Sequence, residues 1–485
     1  MINWPVLIPT ICYLILVYII GCYCYRIVAK APSFLEEYFV GGRQLGGFVL
    51  AMTLVATFLS AGSFIGGPGA AYFYGYGWVL LAMTQLPTAY LTLAILGKKF
   101  AIVARKIKAV TIVDMLRVRY ENHAVTVLGA VSIIIFLIAA MTAQFIGGAT
   151  LFQAITGLPY VYGLSLFAIT VFIYVTIAGF RGVALTDTLQ GIMMFIGTIA
   201  LFAGAVWLSG GVSNLTQGLC DIDPQLITPF GPNRFISIPW ICCFWILVGI
   251  GIIGLPYVSI RCMAYTDTKA MHRAMIIGTV VVGWLLLGMH LSGAFARVLV
   301  PGLAIGDLAI PELTLRVLPP WFAGIFLAGP LAAIMSTVDS QLLLASSAVV
   351  KDLYINYFNP KAKEKLLRRV GMAVTLILGI IVYAAASKRP TLLVWINLWA
   401  IGGLEAAFFF PTVLGLYWKR ANGFGALASM IVGIGGFILM SKFWPRPMGF
   451  HQILPTLILA LIVFIVVSYI TPKPSTEILK KFWGK

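Results

Sequence analysis

A window of about 20 mainly apolar residues is the length that crosses a bilayer's hydrocarbon as a helix. Along this chain it finds thirteen such stretches: 6–26, 46–74, 76–97, 124–152, 160–179, 186–208, 239–260, 275–297, 321–350, 370–387, 391–417, 422–442 and 450–470. The polar positions between them are few. The longest connections, 98–123, 209–238 and 351–369, are too short to enclose a core of their own. The pattern predicts one all-α integral membrane domain over residues 1–485. The first stretch lacks a basic leader and is longer than a signal-peptide core, so it is expected to be retained as a span.

Two stretches break the apolar pattern. Between Thr53 and Gly69 the chain places four glycines, Pro68 and the hydroxyls of Thr53, Thr57, Ser60 and Ser63 in one span. Glycine and proline release backbone groups from the helical ladder, and in hydrocarbon those groups need other partners. A small cation satisfies freed carbonyls, and discontinuous helices at mid-membrane are where secondary transporters bind ions and solutes. Close packing of helices through small residues accounts for the glycines equally well. The second stretch runs from Ala328 to Ser347 and carries Ser336, Thr337, Asp339, Ser340, Gln341, Ser346 and Ser347. On a helix, Ala333, Ser336 and Thr337 share one face, presenting a carbonyl and two hydroxyls together. Hard oxygen ligands of low net charge suit an alkali ion better than a transition metal. Bonding of either hydroxyl back to its own helix is the competing explanation.

Composition agrees with the bilayer reading. Hydrophobic residues make up 61% and charged ones 10%, with mean hydropathy +1.01, which rules out a soluble globule. Thirty-three Lys and Arg against fifteen Asp and Glu would suggest nucleic acid in a soluble chain. Here the excess falls on one side of the membrane. With thirteen spans, twenty-six of the cations lie on one set of alternate loops and seven on the other. The positive-inside rule then places the N-terminus outside and the C-terminus in the cytoplasm. No basic run is interleaved with stacking aromatics, so no nucleic-acid partner is expected. Seven cysteines without metal-ligand spacing predict neither a disulfide framework nor a zinc site.

Three carboxylates lie in or beside spans. Intramembrane acids are costly and point to function. Asp187 sits at a span end, where pairing with Arg181 or helix capping competes with a role in an ion path. Glu405 follows the Gly402-Gly403 pair and is a binding-site candidate. Asp339 lies within the oxygen-rich helix and has no assigned role. Gln85, beside Pro87, is either a ligand contact or glue between helices, and His290 reads as a neutral interhelical histidine. The hallmarks of a hydrolase, phosphotransferase or redox enzyme are missing, so a transporter is expected and an enzyme is not.

These segments carry a family likeness: Ser63-Phe-Ile-Gly-Gly-Pro-Gly-Ala-Ala-Tyr72, Gly77-Trp-Val-Leu-Leu-Ala-Met-Thr-Gln-Leu-Pro87, Leu96-Gly-Lys-Lys-Phe100, Met141-Thr-Ala-Gln-Phe-Ile-Gly-Gly-Ala149, Ile334-Met-Ser-Thr337, Lys351-Asp-Leu-Tyr354, Gly402-Gly-Leu-Glu-Ala406 and Gly415-Leu-Tyr-Trp-Lys-Arg-Ala-Asn-Gly-Phe-Gly-Ala426. On them the chain resembles the sodium:solute symporter family over nearly its whole length. The resemblance implies a LeuT-like core of two inverted five-helix repeats, residues 46–208 and 239–417, with extra helices 6–26, 422–442 and 450–470. It also implies a multi-pass protein of the bacterial cytoplasmic membrane, working as a monomer in the lipid bilayer by alternating access.

By motif position, the family's sodium ligands become the carbonyls of Ala56, Leu59 and Ala333 and the hydroxyls of Ser336 and Thr337. Its Thr-Asp-x-x-Gln motif falls on Thr186, Asp187 and Gln190, in the sodium pathway. The solute pocket is expected near Gly66, Gly67, Gln85 and Glu405. Sodium is the implied coupling ion, with no other cofactor, and the small anion pantothenate is the implied solute. Alternatives are another organic acid or amino acid on the same fold, a proton-coupled carrier, or a passive channel or membrane sensor. Two departures bear on the choice. Family members that carry proline have an acidic residue at the position of Phe58, and sugar carriers differ at Gly251-Ile-Ile-Gly254-Leu-Pro256.

Overall fold

The computed structural model describes residues 4–28, 43–388 and 392–484, with side chains at 24–28 and 173–182 outside the description. Arg26, Lys30, Arg181, Arg389 and Lys485 of the charge partition therefore lie outside the described side chains. In chain order the elements used below are α1 (Trp4–Val28), α2 (Gly47–Phe58), α3 (Gly62–Tyr74), α4 (Tyr76–Ile107), α5 (Ile112–Tyr120), α6 (His123–Thr156), α7 (Tyr160–Leu208), α8 (Ile238–Gly254), α9 (Pro256–Met263), α10 (Thr268–Leu299), α11 (Pro320–Phe358), α12 (Glu364–Ala386), α13 (Leu393–Tyr417), α14 (Gly423–Phe443), α15 (Ile453–Ile470) and α16 (Thr476–Trp483). Among the described residues ten helices are long and apolar enough to cross a membrane, or twelve when the bent pairs α2–α3 and α8–α9 each count as one span.

The remaining difference from thirteen lies in α7. Of the stretches 160–179 and 186–208, the described side chains give an apolar helix Tyr160–Phe172 and a span Val183–Leu208, and the residues between them, 173–182, lie outside the described side chains.

Local chemistry sets the helix ends. Asn122 accepts from the N–H groups of Ala124 and Val125 to start α6, and Gly157 ends it in the left-handed region at φ 70°. Asp267 caps α10 through Ala270 N, and Asn422 caps α14 through Gly425 N. Two helices are interrupted inside the apolar layer. α2 stops where Leu59 turns extended (φ −83°, ψ 120°), and α3 leaves at 67° to it after a wide, π-type first turn at Gly62–Gly66. α8 tightens at Gly251–Gly254, Leu255 is extended (φ −76°, ψ 117°), and Pro256 starts α9 at 53° because it cannot donate to the preceding turn. This second break falls inside 239–260, which the apolar pattern presented as a plain span. The two broken elements are tied where they approach one membrane face: Leu45 N donates to Ala264 O (3.0 Å) and Thr266 N to Leu45 O (3.1 Å).

Burial follows the polar pattern. In α11, the oxygen-rich helix, 83% of the apolar window is buried, against 28% in α12 and 33% in α1. α11 packs on α7, α6, α1 and α2 at the centre of the bundle. Apolar side chains on the outer helices, such as Ile11, Ile15, Ile377 and Ile462, remain exposed, as lipid-facing residues must. The loops gather into two groups. Lys106 donates to Lys480 O, and Arg119 lies over the rings of Phe482 and Trp483, joining α4, α5 and α16. On another side, Arg297 lies over Tyr72 and Arg446 over Phe235.

Candidate functional site

The break at Leu59 frees carbonyls at the end of α2, and α11 brings hydroxyls to them. Ser336 Oγ lies 2.7 Å from Ala56 O and 3.0 Å from Ala333 O. Thr337 Oγ1 lies 2.9 Å from Ala333 O, 3.4 Å from Leu59 O, 3.4 Å from Thr57 O and 3.5 Å from Ala56 O. The structure thus brings together Ala56, Leu59, Ala333, Ser336 and Thr337, all buried. Two hydroxyl hydrogens face four carbonyl oxygens, so the cluster is short of positive charge. Both hydroxyls also reach back to their own helix, so the back-bonded geometry and the convergent one are the same geometry here.

Toward the tied ends of α2 and α9 the oxygen cluster continues into a buried ion pair. Asp187 Oδ2 accepts from Thr53 Oγ1 (2.5 Å) and lies 3.4 Å from Arg261. Arg261 donates to Ser340 Oγ (2.6 Å) and to Tyr257 O (2.8 Å), and Ser340 Oγ is 3.4 Å from Thr57 Oγ1. Four elements, α2, α7, α9 and α11, are therefore joined around one guanidinium. In the sequence Arg261 counted only as a loop cation, yet it is 1% exposed. The partner found for Asp187 is Arg261; Arg181 lies outside the described side chains. Gln190 is not in this group: its Nε2 donates to Tyr13 OH (3.1 Å), fastening α7 to α1. Asp339 is buried nearby, and neither of its oxygens has a hydrogen-bond partner.

On the other side of the break lies a small cavity of about 50 Å³ between α2–α3, α4, α8–α9, α10 and α13. Its polar lining comprises Ser60, Ser63, Gln85, Tyr257, His290 and Asn397, and its apolar lining includes Phe58, Trp78, Phe244 and Leu255. Among the described residues, no Lys or Arg lines it. Gly67 and Gln85 line this cavity, whereas Gly66 and Glu405 are not among its lining residues. Gly66 packs on Leu393 and Val394, where an added Cβ would come within 2.6 Å of Leu393 Cδ1. Glu405 sits one turn past the lining residue Ile401, and its carboxylate occupies the space beside Gly251, where a Cβ would lie 2.5 Å from its Cδ. The absent side chain of Gly251 draws the glutamate behind the wall rather than into the cavity.

Two side chains that the pattern left in the background shape this space. Gln144 Oε1 accepts from Ala61 N (2.8 Å), satisfying an N–H released at the break, and its Nε2 donates to Asn397 Oδ1 (3.4 Å). His290 Nδ1 lies 2.7 Å from Leu286 O, and a carbonyl can only accept, so Nδ1 carries the proton. In the neutral ring Nε2 is then a bare acceptor at the cavity wall. It lies so close to Gly67 that an added Cβ there would be 2.3 Å away. The signal for Gln144 was a lone amide in an apolar helix, and for the second break the run Gly251-Ile-Ile-Gly254-Leu-Pro256.

Comparison with known proteins gives the family and the fold. The model of the sodium:solute symporter family matches residues 38–433. A sodium/pantothenate symporter of Escherichia coli is 50% identical over 462 residues, covering 95% of each chain. Another from Haemophilus influenzae is 48% identical over 465 residues, covering 96% of each. Among solved structures, a sodium-coupled sialic acid symporter in a substrate-bound outward-open state superposes with a TM-score of 0.81 over 98% of both chains. At 20% identity that likeness establishes a shared LeuT-like fold.

Proposed function

The chain belongs to the sodium:solute symporter family, and we propose that it imports pantothenate coupled to sodium by alternating access. The observation that carries the coupling is the convergence of the Ala56, Leu59 and Ala333 carbonyls with the Ser336 and Thr337 hydroxyls across the break in α2–α3. A sodium ion among them supplies the charge that two hydroxyl hydrogens cannot, and it ties α2 to α11. The two relatives at 48–50% identity support pantothenate as the solute.

The cavity beside Ser60 is the substrate pocket in this reading. Pantothenate has a carboxylate, an amide and two hydroxyls. The Gln85 and Asn397 amides and the Ser60 and Ser63 hydroxyls supply donors, and His290 Nε2 accepts from a substrate hydroxyl. Because no cationic side chain among the described residues lines the pocket, the sodium one residue away at Leu59 O is the charge that balances the carboxylate. One sodium per anion is then electrically neutral. Each further sodium would draw about 2.3 kcal/mol per 100 mV from the membrane potential.

Asp187 and Arg261 hold the inner end of the sodium site shut, and their separation opens the path to the cytoplasm. Residues 46–208 and 239–417 form the two inverted repeats, each opening with a broken helix, and 6–26, 422–442 and 450–470 are additions. The Lys- and Arg-rich loops face the cytoplasm of a bacterial cell, with the N-terminus outside, and the monomer is the working unit. The protein is a carrier and catalyses no covalent step. The test is uptake of radiolabelled pantothenate by a strain unable to make it: accumulation should require sodium outside and be indifferent to an imposed pH gradient. Sodium-independent uptake, or none, would refute the reading.

A further inference from the structure

A second cavity, of about 440 Å³, opens near the loop between α14 and α15, and its walls are largely aromatic: Tyr74, Phe235, Trp240, Trp395 and Trp399. The one cation among its lining residues is Arg446, whose guanidinium lies 4.5 Å from the ring centres of both Phe235 and Trp240. Arg446 donates to Phe235 O (3.2 Å), and no carboxylate pairs with it among the described residues. The cavity therefore offers one full positive charge, with Ser441, His451 and Gln452 as its other polar lining and no carboxylate among the described lining residues.

The loop that carries Arg446 is stiff. Pro445 and Pro447 flank it, Met448 and Gly449 hold positive φ (52° and 82°), and Ser237 Oγ donates to Gly449 O (3.2 Å). The guanidinium is thus held in place against the aromatic wall before any ligand arrives, which lowers the ordering cost of binding. Between this vestibule and the inner pocket stands a single layer of rings. Trp78 of the pocket meets Trp395 of the vestibule edge-on at 5.6 Å, and Phe244 of the pocket lies 4.7 Å from Trp240. Leu398 lines both spaces.

We propose that this vestibule is a second substrate subsite, in which Arg446 holds the carboxylate of a small organic acid before the acid passes the aromatic layer. The proposal rests on the reading that the solute is pantothenate taken up from this side. A guanidinium pairs two oxygens of a carboxylate, and the rings accommodate the dimethyl end of the molecule. The inner pocket, with no cation of its own, receives the anion only beside sodium. Charge recognition and sodium coupling are thereby divided between two places.

The test uses right-side-out vesicles with the full-length protein, radiolabelled pantothenate, and its alcohol analogue, in which a neutral hydroxymethyl replaces the carboxylate, as competitor. R446Q should raise the KM for pantothenate about tenfold with Vmax and surface abundance kept, while the half-inhibitory concentration of the alcohol stays within twofold. R446K, which keeps the charge, should recover most of the KM. Two results would overturn the proposal: an unchanged KM in R446Q, or equal losses for the anion and the alcohol, which would make Arg446 only a rivet for the loop. Wild-type vesicles without sodium-driven pantothenate uptake would remove the underlying reading and the proposal with it. Intact wild-type uptake beside an unaffected R446Q would remove the proposal alone.

Discussion

Replacing Thr337 by valine removes one oxygen from the proposed sodium shell and keeps the side chain's shape. Thr337 is 1% exposed, and its hydroxyl lies within 2.9–3.5 Å of four carbonyls: Ala333, Leu59, Thr57 and Ala56. Three of those carbonyls belong to the broken end of α2, so the hydroxyl is placed to complete a shell that bridges two elements. A contact to a charged partner is worth about 1.5–3 kcal/mol net. At about 1.4 kcal/mol per decade, T337V should raise the half-saturating sodium concentration roughly 10- to 100-fold. T337S keeps the oxygen and should stay within about threefold on the same reasoning. The assay is initial pantothenate uptake against external sodium in vesicles, normalised to transporter abundance on a blot. A half-saturation for T337V within twofold of wild type, at normal abundance, would refute the assignment. A loss of uptake matched by a loss of protein would make Thr337 a packing residue.

Two further perturbations test the surroundings. G67A drives a Cβ to 2.3 Å from His290 Nε2 and should cost about 1–3 kcal/mol of substrate binding, read as a higher KM; adding H290A should then cost little more, because both act through one contact, and fully additive losses would contradict this. D187A leaves the Arg261 guanidinium buried without its carboxylate, a loss of about 3–5 kcal/mol that should lower the melting temperature in nanodiscs. D187A combined with R261M should recover at least half of that fall, and a double variant no better than D187A would show that the pair is not the cause.

How much of this was legible beforehand depends on the range of each interaction. The first break was legible because its causes are local: Ser60, Gly62, Gly66, Gly67 and Pro68 crowd one span. The face shared by Ala333, Ser336 and Thr337 follows from helical spacing alone, while its meeting with Ala56 and Leu59 came from the family likeness. The break at Leu255–Pro256 was equally local, but its flanks are so apolar that the window passed over it. Arg261 was hidden for a different reason. Its burial depends on Asp187, 74 residues earlier, and on Ser340, 79 residues later, and a count of loop cations contains no such information. Glu405 misled in the opposite direction. An acid beside Gly402-Gly403 suggested a ligand contact, whereas the space that receives it is made by Gly251 on another element.

The central claim is that sodium binds where α2 ends and α11 crosses it. Equilibrium binding of ²²Na⁺ to the purified protein in nanodiscs, without substrate, measures this directly. The wild type should show saturable binding, and the S336A/T337V double variant, still folded by its melting temperature, should show none in the same concentration range. Saturable binding of wild-type affinity in the double variant would contradict the account.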